Sequence, residues 1–463
     1  MISMNSLTSV SNSTVWAFAD SDIEADDEAL LQIERAKSGV NPDAILVHSL
    51  SNQAKIDALA KWLRQRCADV PRVIELSLES DVEGIDYSPL LTSQTLFIGP
   101  LTSFVRMGWV KPSDMSSIND EEWRSDLPCH LFIIDTERAR GGCDFLILKA
   151  PEHCSPAYSR QAFSFISRDF HANSFQQGFG KAIALLIADK WTLPDAIILA
   201  KASLNAAFDN EGSQIGDLLT ARVENIATAY RHFPQVSPLS NPSSHCLESA
   251  FTALKHPLDI YPVVDSLELI ESLLNAGCKT LQLRIKKIPP GEIESIIQKA
   301  IALGWKYQAQ LFINDHWQLA VKHHAFGVHL GQEDLLVADV KLIHESGLAL
   351  GISSHSYFEA LIALEYQPSY LALGHIFPTT TKDMPSKPQG LNRLAHYAAT
   401  FSPVLPTVAI GGIDAKNLSA IKQTGVACAA VVRAVTESAS PADAFNVLQN
   451  LWHSPLKGER NVA

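Results

Sequence analysis

The sequence lacks the features that define several large protein classes. Its 463 residues include only seven cysteines, with no Cys-x-x-Cys pair, so neither a zinc framework nor a disulfide scaffold is indicated. Scattered cysteines in odd number are typical of reduced thiols, and we expect a cytoplasmic protein. From Met1 to Asp22 there is no basic region followed by an apolar run, and no stretch of about 20 apolar residues occurs. We therefore expect neither a secretory signal nor a membrane span.

Basic residues are scarce relative to acidic ones. The chain has 37 Lys and Arg against 50 Asp and Glu, and its net charge is −13. A nucleic-acid interface needs a basic stripe, so a nucleic-acid partner is not expected. A phosphorylated small molecule needs only a few local cations and remains compatible with this charge. Hydrophobic residues make up 46% of the chain, which is enough for folded cores, and the length favours two domains.

The predicted domain boundary is a linker at 233–257. This segment holds four prolines among many serines and asparagines, and only 247–254 could form a helix. The sequence thus predicts one domain over 1–232 and a second over 258–463.

Eight short apolar runs alternate with helical stretches in the second domain. Eight such units in roughly 205 residues predict one closed TIM (β/α)8 barrel. The alternative is an open doubly wound sheet, but no Gly-x-Gly-x-x-Gly turn follows an early strand. The predicted strands are Leu258–Val264, Thr280–Ile285, Gln310–Asp315, Phe326–Gly331, Ala349–Ser354, Tyr370–Ile376, Pro406–Gly412 and Ala427–Val435.

The second of these strands carries three polar side chains on one face. Gln282, Arg284 and Lys286 alternate with apolar residues, so the two-residue period of a strand places them together. Chemistry in a barrel lies at the carboxyl ends of the strands, and this strand predicts a site for an anion and an amide-recognising group. A charged surface strand is the alternative, which the apolar residues on the other face make less favourable.

Acidic side chains follow the next two strands. Asn314 and Asp315 end the third strand, and Asp334 follows the fourth. Mg²⁺ is typically held by one or two carboxylates together with phosphate oxygens and waters, so these acids predict a magnesium site. Alternatively, Asp315 only caps the next helix, which is common for Asp at such a position.

The later strands end in groups that suit phosphate. Hydroxyls, a lysine and glycine amides all bind phosphate well, and the ends of the last two strands are the usual phosphate site of a barrel. Each group also fits an ordinary turn. The candidates are Ser353, Thr379, Thr381, Lys382, Gly411 and Gly412.

Histidines near the middle of this domain do not suggest a metal site. His323 and His324 are adjacent and cannot share one face of a helix. We therefore expect no metal-binding role for them or for His316 and His329. His375, at the end of the sixth strand, is a weaker site candidate.

The order and placement of these motifs resemble thiamine-phosphate synthase over roughly 258–451. The matching segments are Gln282-Leu283-Arg284-x-Lys286, Phe312-Ile313-Asn314-Asp315, Gly327 to Asp334, Gly374-x-x-x-Pro378-Thr379-x-Thr381-Lys382 and Ala409 to Ile413. The resemblance implies a transferase that joins hydroxymethylpyrimidine diphosphate to a thiazole phosphate, giving thiamine phosphate and pyrophosphate.

The resemblance also implies roles for single residues. It assigns the pyrimidine and its diphosphate to Gln282, Arg284, Lys286 and Asn314, with Ser353 near the pyrimidine amine. It assigns Mg²⁺ to Asp315 and Asp334. The thiazole phosphate would be held by Thr379, Thr381 and backbone near Gly411, Gly412 and Val432, and Lys382 would reach the diphosphate.

Arg433 departs from the family pattern, which has a serine there. One interpretation is that Arg433 adds a fixed positive charge to the phosphate site. The other is that it points outward and forms an ion pair.

The first domain alternates apolar runs with helical stretches, which predicts a layered α/β fold with a mostly parallel sheet. It resembles a shortened hydroxymethylpyrimidine (phosphate) kinase of the ribokinase-like fold, through 17–22 and through Lys181-Ala182-Ile183-Ala184 leading to Leu199-Ala200-Lys201-Ala202. The predicted strands are Val15–Asp22, Asp43–Leu50, Thr95–Gly99, His130–Asp135 and Phe145–Leu148.

Two glycine-rich elements of such kinases are missing here. The run after Ser21-Asp22 is acidic, and Ser174-Phe175-Gln176-Gln177 stands where a Gly-Thr-Gly turn would bind the transferring phosphoryl group. Acids in place of glycines would repel phosphate, so the resemblance predicts a domain without kinase activity. A pyrimidine-binding or purely structural role stays open.

Two other functions compete with a simple synthase. One is a bifunctional kinase and synthase, and the other is a ligand-binding regulator that has lost turnover. The retained acids and cations argue against the regulator, because a sensor does not need a magnesium site. The sequence leaves open whether the chain is a homo-oligomer.

Overall fold

A computed structural model places two compact units along the chain. The described residues are 7–10, 13–18, 42–48, 50, 52–76, 85–107, 109–110, 127–134, 143–148, 162–166, 179–209, 228–238, 249–285, 289–379 and 387–455. The first unit comprises 1–227 with 231–244, and the second comprises 228–230 with 245–463. Over those ranges, every helix falls short of the length and apolarity that a membrane crossing requires.

The first unit contains a nine-stranded sheet whose spatial order follows the chain. Strands β2 to β6 pair with one another in parallel, whereas the β1–β2 pair and the three pairs from β6 to β9 are antiparallel. The strands are β1 Leu7–Val10, β2 Ser13–Phe18, β3 Ala44–Val47, β4 Arg72–Glu75, β5 Thr95–Pro100, β6 His130–Ile134, β7 Cys143–Ile147, β8 Ala162–Ile166 and β9 Gln235–Pro238.

Helices pack on this sheet through their apolar faces. A core cluster joins the inner face of α1, including Ile56, Leu59 and Leu63, to Phe97 and Ile133 of the central strands. The helices are α1 Gln53–Arg66, α2 Leu101–Arg106, α3 Phe179–Ala188 and α4 Leu193–Asp209, with 3₁₀ turns at Ser88–Leu90 and Tyr230–His232. The predicted layered α/β class is therefore correct for this unit.

The expectation of a mostly parallel sheet is wrong. Half of the pairings are antiparallel. For β1–β2 and β6–β7 the connections are too short for the crossover that parallel strands need. The five predicted strands are present within a few residues of their expected bounds, but β1, β4, β8 and β9 were not predicted.

The second unit is a closed barrel of eight parallel strands, as the sequence predicts. Each strand pairs with the next, and β10 closes the barrel against β17. The strands are β10 Asp259–Val264, β11 Thr280–Leu283, β12 Gln310–Asn314, β13 Gly327–Leu330, β14 Ala349–Ser354, β15 Tyr370–Gly374, β16 Thr407–Ile410 and β17 Cys428–Val431.

Helices connect the barrel strands, and side-chain caps fix where several begin. Ser266 caps α5 by accepting from the Leu269 amide, and Ser356 caps α10 in the same way. The helices are α5 Leu267–Asn275, α6 Pro290–Lys306, α7 Trp317–Lys322, α8 Gln332–Leu335, α9 Val340–Glu345, α10 Tyr357–Leu364, α11 Gly390–Phe401, α12 Leu418–Gln423, α13 Arg433–Thr436 and α14 Pro441–His453.

The predicted linker at 233–257 is wrong in part. Its first portion forms β9, the last strand of the first unit's sheet. The described end of the segment is not helical, and it packs on the barrel: the Phe251 amide donates to the Gln367 carbonyl, and Thr252 Oγ1 donates to the Gly347 carbonyl. A proline-containing segment can thus be an edge strand, where the missing N–H removes no interior hydrogen bond.

Candidate active site

The barrel topology brings the predicted site residues to one rim. All eight strands run in the same direction, so the residues that end them or follow them lie at the same mouth. Asn314 ends β12, Ser353 lies at the end of β14, and Arg284, Asp315 and Gly411 each follow a strand directly. Lys286, Thr381 and Lys382 lie outside the described residues.

A cation and an acid meet at the mouth beside β11 and β12. The pKa of Arg284 is lowered because the side chain is partly buried, while the negative charge of Asp315 opposes that shift. Asp315 has a backbone φ of 64°, and its amide donates to the His329 carbonyl at 3.0 Å. This left-handed conformation turns the chain sharply at the strand end. Arg284 therefore provides positive charge within the electrostatic reach of Asp315.

Asp315 and Asp334 follow the neighbouring strands β12 and β13, so both carboxylates lie at the same mouth of the barrel. Asp334 lies in the first turn of α8, where its Oδ2 accepts from the Gly331 amide at 3.0 Å and its Oδ1 stays available. No cluster of three or more acid, histidine or cysteine ligands exists among the described residues. Mg²⁺ commonly uses only one or two carboxylates plus phosphate oxygens, so this pair fits a substrate-borne Mg²⁺ better than a metal caged by protein.

A chain of hydrogen bonds crosses the barrel interior. Gln282 Nε2 donates to the Tyr261 hydroxyl at 3.2 Å, and the hydroxyls of Tyr261 and Tyr370 are 2.9 Å apart. His329 Nδ1 lies 2.7 Å from the Tyr370 hydroxyl, and its Nε2 lies 2.8 Å from Ser353 Oγ. The five side chains link two predicted pyrimidine contacts, Gln282 and Ser353, from opposite sides of the barrel.

The sequence does not single out three residues of this hydrogen-bond chain as hydrogen-bonding site residues. Tyr261 and Tyr370 lie inside apolar runs, where an aromatic residue resembles ordinary core, and His329 was considered only as a metal ligand. A signal was present in Gly351 of β14, because a Cβ there would lie 2.1 Å from the Tyr370 ring. A glycine within a strand marks a close approach, here of the phenol that carries the hydrogen bond.

The rim beyond β16 is shaped by close backbone packing. Gly411 and Gly412 have φ of 104° and 68°, and a Cβ on Gly412 would lie 2.7 Å from Phe377 Cβ and 2.8 Å from the Pro378 carbonyl. The two glycines thus allow the segment after β15, which includes the half-buried Thr379, to lie against the end of β16. Close packing is compatible with phosphate binding by the same amides.

The residues that follow β17 lie at the same rim, next to the end of β16. Val432 caps the four-residue helix α13, and Arg433 is its first residue. Arg433 is exposed and forms no ion pair with a described carboxylate. The ion pair expected in the outward-facing interpretation is therefore not seen within the described ranges.

His375 lies beneath the glycine pair. It is 6% exposed, and its Nδ1 has no hydrogen-bond partner among the described residues. Burial, and then the nearby His355, lower its pKa. His355 is itself held by Glu359, whose Oε2 lies 2.8 Å from the ring nitrogen.

A closed parallel barrel with polar side chains around the carboxyl ends of its strands defines the class of TIM-barrel enzymes. The profile of the thiamine monophosphate synthase family matches residues 260–435. The chain belongs to the thiamine-phosphate synthase family, and its barrel is that of a thiamine-phosphate synthase enzyme.

Two curated relatives of this chain are thiamine-phosphate synthases. The chain is 56% identical over 190 residues to thiamine-phosphate synthase of Proteus mirabilis, covering 41% of this chain and 88% of the relative. It is 55% identical over 192 residues to the enzyme of Serratia proteamaculans, covering 42% and 90%. A solved thiamine phosphate pyrophosphorylase from Pyrococcus furiosus is 30% identical, with 42% of this chain and 96% of that chain covered and a TM-score of 0.38.

Proposed function

We propose that the barrel joins hydroxymethylpyrimidine diphosphate to thiazole phosphate, releasing thiamine phosphate and pyrophosphate. The observation that carries this proposal is the grouping of Gln282, Arg284, Asn314, Asp315 and Ser353 at one mouth of a barrel whose relatives are thiamine-phosphate synthases. Carboxylates that hold Mg²⁺, together with the cation of Arg284, suit a magnesium-bound diphosphate. The amide and hydroxyl groups suit a polar ring.

The proposed reaction breaks one bond and forms one. The bond between the pyrimidine methylene and the diphosphate oxygen breaks, and its electron pair leaves with pyrophosphate. The aminopyrimidine stabilises the resulting cation, and the lone pair of the thiazole nitrogen forms the new C–N bond. No protein nucleophile is needed, so positioning and electrostatic stabilisation by the rim would supply the rate.

Asp315 and Asp334 would hold Mg²⁺ together with the diphosphate. When bound, the ion would neutralise charge that develops on the leaving group. Arg284 would place a second positive charge beside it, and its partial burial strengthens that charge's effect because water screens it less. Gly411, Gly412, Val432 and Thr379 would bind the thiazole phosphate on the opposite side of the mouth.

The assay for this proposal uses the full chain with both substrates and Mg²⁺. We expect thiamine phosphate and pyrophosphate in equal amounts, and no product when Mg²⁺ is chelated. Binding of both substrates without any product would instead support the ligand-binding regulator.

We also propose that the first unit is a ribokinase-like domain without kinase activity. Glu75, at the end of β4, accepts from the Gly180 amide at 2.7 Å in the first turn of α3 and pairs with His48 at 3.0 Å. α3 directly follows the segment where related kinases would bind the transferring phosphoryl group. A carboxylate of the protein thus takes up an amide at a helix N-terminus, where an incoming anion would otherwise be favoured.

A separate assay tests whether the first unit has kinase activity. The full chain is supplied with hydroxymethylpyrimidine phosphate, ATP, Mg²⁺ and thiazole phosphate. We expect no ADP at any stage, and no thiamine phosphate until the diphosphate is added. ADP formation that depends on the pyrimidine would overturn this proposal and establish the bifunctional enzyme.

A further inference from the structure

Five side chains form a hydrogen-bond chain inside the barrel, here called the relay: Gln282, Tyr261, Tyr370, His329 and Ser353. Tyr261 and Tyr370 are 1% and 0% exposed, and Gln282 and His329 are also buried. Burial raises the pKa of both tyrosine hydroxyls, so both are neutral phenols that each have one hydrogen to donate. The direction of every bond in the relay can therefore be worked out from its first member.

The direction starts at Gln282, whose amide N–H donates to the Tyr261 oxygen. Among the described residues, the Tyr370 oxygen at 2.9 Å is the acceptor left for the Tyr261 hydrogen, and a buried hydroxyl hydrogen without an acceptor would be costly. Tyr370 must pass its own hydrogen to His329 Nδ1 at 2.7 Å. His329 is thereby fixed as the neutral tautomer with its hydrogen on Nε2.

At its His329 end, the relay determines whether the Ser353 hydroxyl donates or accepts a hydrogen bond to a ligand. Ser353 Oγ lies 2.8 Å from His329 Nε2; with the hydrogen on Nε2 the ring donates to Ser353, and the serine hydroxyl has its own hydrogen left to give. No acceptor for that hydrogen lies among the described residues. At the other end, the side-chain nitrogen of Gln282 donates to Tyr261 inside the barrel. The side-chain carbonyl oxygen of Gln282 is then left to accept a hydrogen bond from a ligand.

We propose that the relay is a positioning device that fixes Ser353 as a hydrogen-bond donor and Gln282 as an acceptor at the barrel mouth. One donor and one acceptor together match the edge of an aminopyrimidine, which offers a ring nitrogen and an amino group. Tyr261, Tyr370 and His329 are positioning residues in this proposal. It depends on the proposed function for the identity of the ligand, but the state of the relay itself does not.

The packing around Tyr370 indicates that its hydroxyl group, and not only its ring, has a role. Its ring stacks on His329 with centroids 5.6 Å apart and meets the rings of Tyr261 and Phe312 edge-on. Gly351 leaves room for the hydroxyl end of the ring. Phenylalanine would satisfy all of these ring contacts, so only the hydroxyl requires a tyrosine here.

The first test measures the His329 tautomer by ¹⁵N NMR of histidine-labelled full chain, assigned with His329→Gln. We expect a protonated Nε2 and an unprotonated Nδ1 in the unaltered protein. In Tyr370→Phe the donor to Nδ1 is gone, and the Nδ1-protonated form should appear. A protonated Nδ1 in the unaltered protein, or an identical spectrum in Tyr370→Phe, would overturn the proposal.

The second test compares Tyr370→Phe with Tyr357→Phe. Tyr357 is equally buried in the barrel, and its hydroxyl lies 3.4 Å from Thr400 Oγ1, outside the relay. We expect Tyr370→Phe to lower kcat/KM for the pyrimidine diphosphate roughly tenfold to hundredfold, while the KM for thiazole phosphate stays within about twofold. Tyr357→Phe should change neither. Equal effects of the two variants, or a loss shared by both substrates, would contradict a positioning role.

A double variant separates action through Ser353 from general damage. If the relay acts through Ser353, Tyr370→Phe combined with Ser353→Ala should be no slower than Ser353→Ala alone. Additive losses would contradict the claim that the relay fixes Ser353. Should the unaltered protein make no thiamine phosphate, the proposed function fails while the NMR result still decides the relay. Thermal unfolding of each variant confirms that it is folded, and Tyr261→Phe provides a second break in the chain.

Discussion

Side-chain charge and backbone conformation contribute separately to the proposed binding of the thiazole phosphate at this side of the rim. Arg433 is an exposed side chain that supplies charge, whereas Gly412 lies at positive φ beneath Phe377 and supplies room. Phosphate contacts by glycine amides do not depend on a side chain, so the two contributions can be changed one at a time.

Replacing Arg433 with serine should weaken binding of the thiazole phosphate. We expect its KM to rise roughly three- to tenfold at low ionic strength and less in high salt, because exposed charges are screened. Steady-state kinetics at two salt concentrations measures this. Lys341→Ser is the control, since Lys341 is an exposed helix residue that pairs with Glu345. No rise would mean that Arg433 is only a surface charge.

Replacing Gly412 with alanine should damage the rim through sterics. The added Cβ would meet Phe377 and Pro378, so the stability loss should reach about 2–4 kcal/mol and the thiazole phosphate KM should increase. Gly425→Ala is a matched control: φ is 88° there, but nothing lies within 4 Å. It should lose only about 1–2 kcal/mol by urea unfolding and keep its kinetics. Equal losses in the two variants would show that close packing at Gly412 is unimportant.

At the scale of elements, a buried ion pair joins a helix to the sheet of the first unit. Lys201 of α4 pairs with Asp144 of β7, and both side chains are almost fully buried. The lysine also lies 5.7 Å from the centre of the Phe132 ring on β6. Because each charge needs the other, the pair fixes how α4 lies against this part of the sheet.

Removing one partner should therefore cost much more than removing both. Lys201→Met removes the cation that faces a buried carboxylate and should destabilise the first unit by about 3–5 kcal/mol, whereas Lys201→Met with Asp144→Leu should recover most of that loss. Urea unfolding measures both. Lys190→Met, which breaks an exposed pair with Asp43, should cost less than about 1 kcal/mol. A single variant as stable as the double would contradict the buried-pair account.

The elements also show what a sequence pattern can predict. All eight barrel strands were predicted because each contains a short run made mostly of apolar residues and is followed by a helical stretch, which is typical of strands in a parallel sheet covered by helices. Strand β4 escaped because Arg72 and Glu75 flank only two apolar residues, and Arg72 is buried through bonds to the carbonyls of Cys67 and Ala68. Strand β9 escaped because its proline and serine resemble a linker.

The site was predictable to a similar degree. Arg284, Asn314 and Asp315 stand out as polar residues at the end of an apolar strand, so their shared location follows from the barrel. The relay does not stand out, because Tyr261 and Tyr370 are separated by more than a hundred residues and each is surrounded by apolar neighbours. Only the closed topology brings the two hydroxyls together.

At the scale of the whole molecule, one chain combines a synthase barrel with a second α/β unit. The barrel's relatives are covered over 88–90% of their length by the second half alone. The first unit therefore adds to a barrel that is complete by comparison with these relatives. We expect synthase chemistry to depend on the barrel rim.

The most direct test of that expectation is the rate of thiamine phosphate formation by Asp315→Asn/Asp334→Asn in the full chain. Asp339→Asn serves as the control, because Asp339 only caps α9. We predict that the double variant loses roughly a hundredfold or more in rate and no longer binds pyrophosphate in a Mg²⁺-dependent way, while the control keeps both. Product formation at the unaltered rate by the double variant would contradict a rim that captures a metal-bound leaving group.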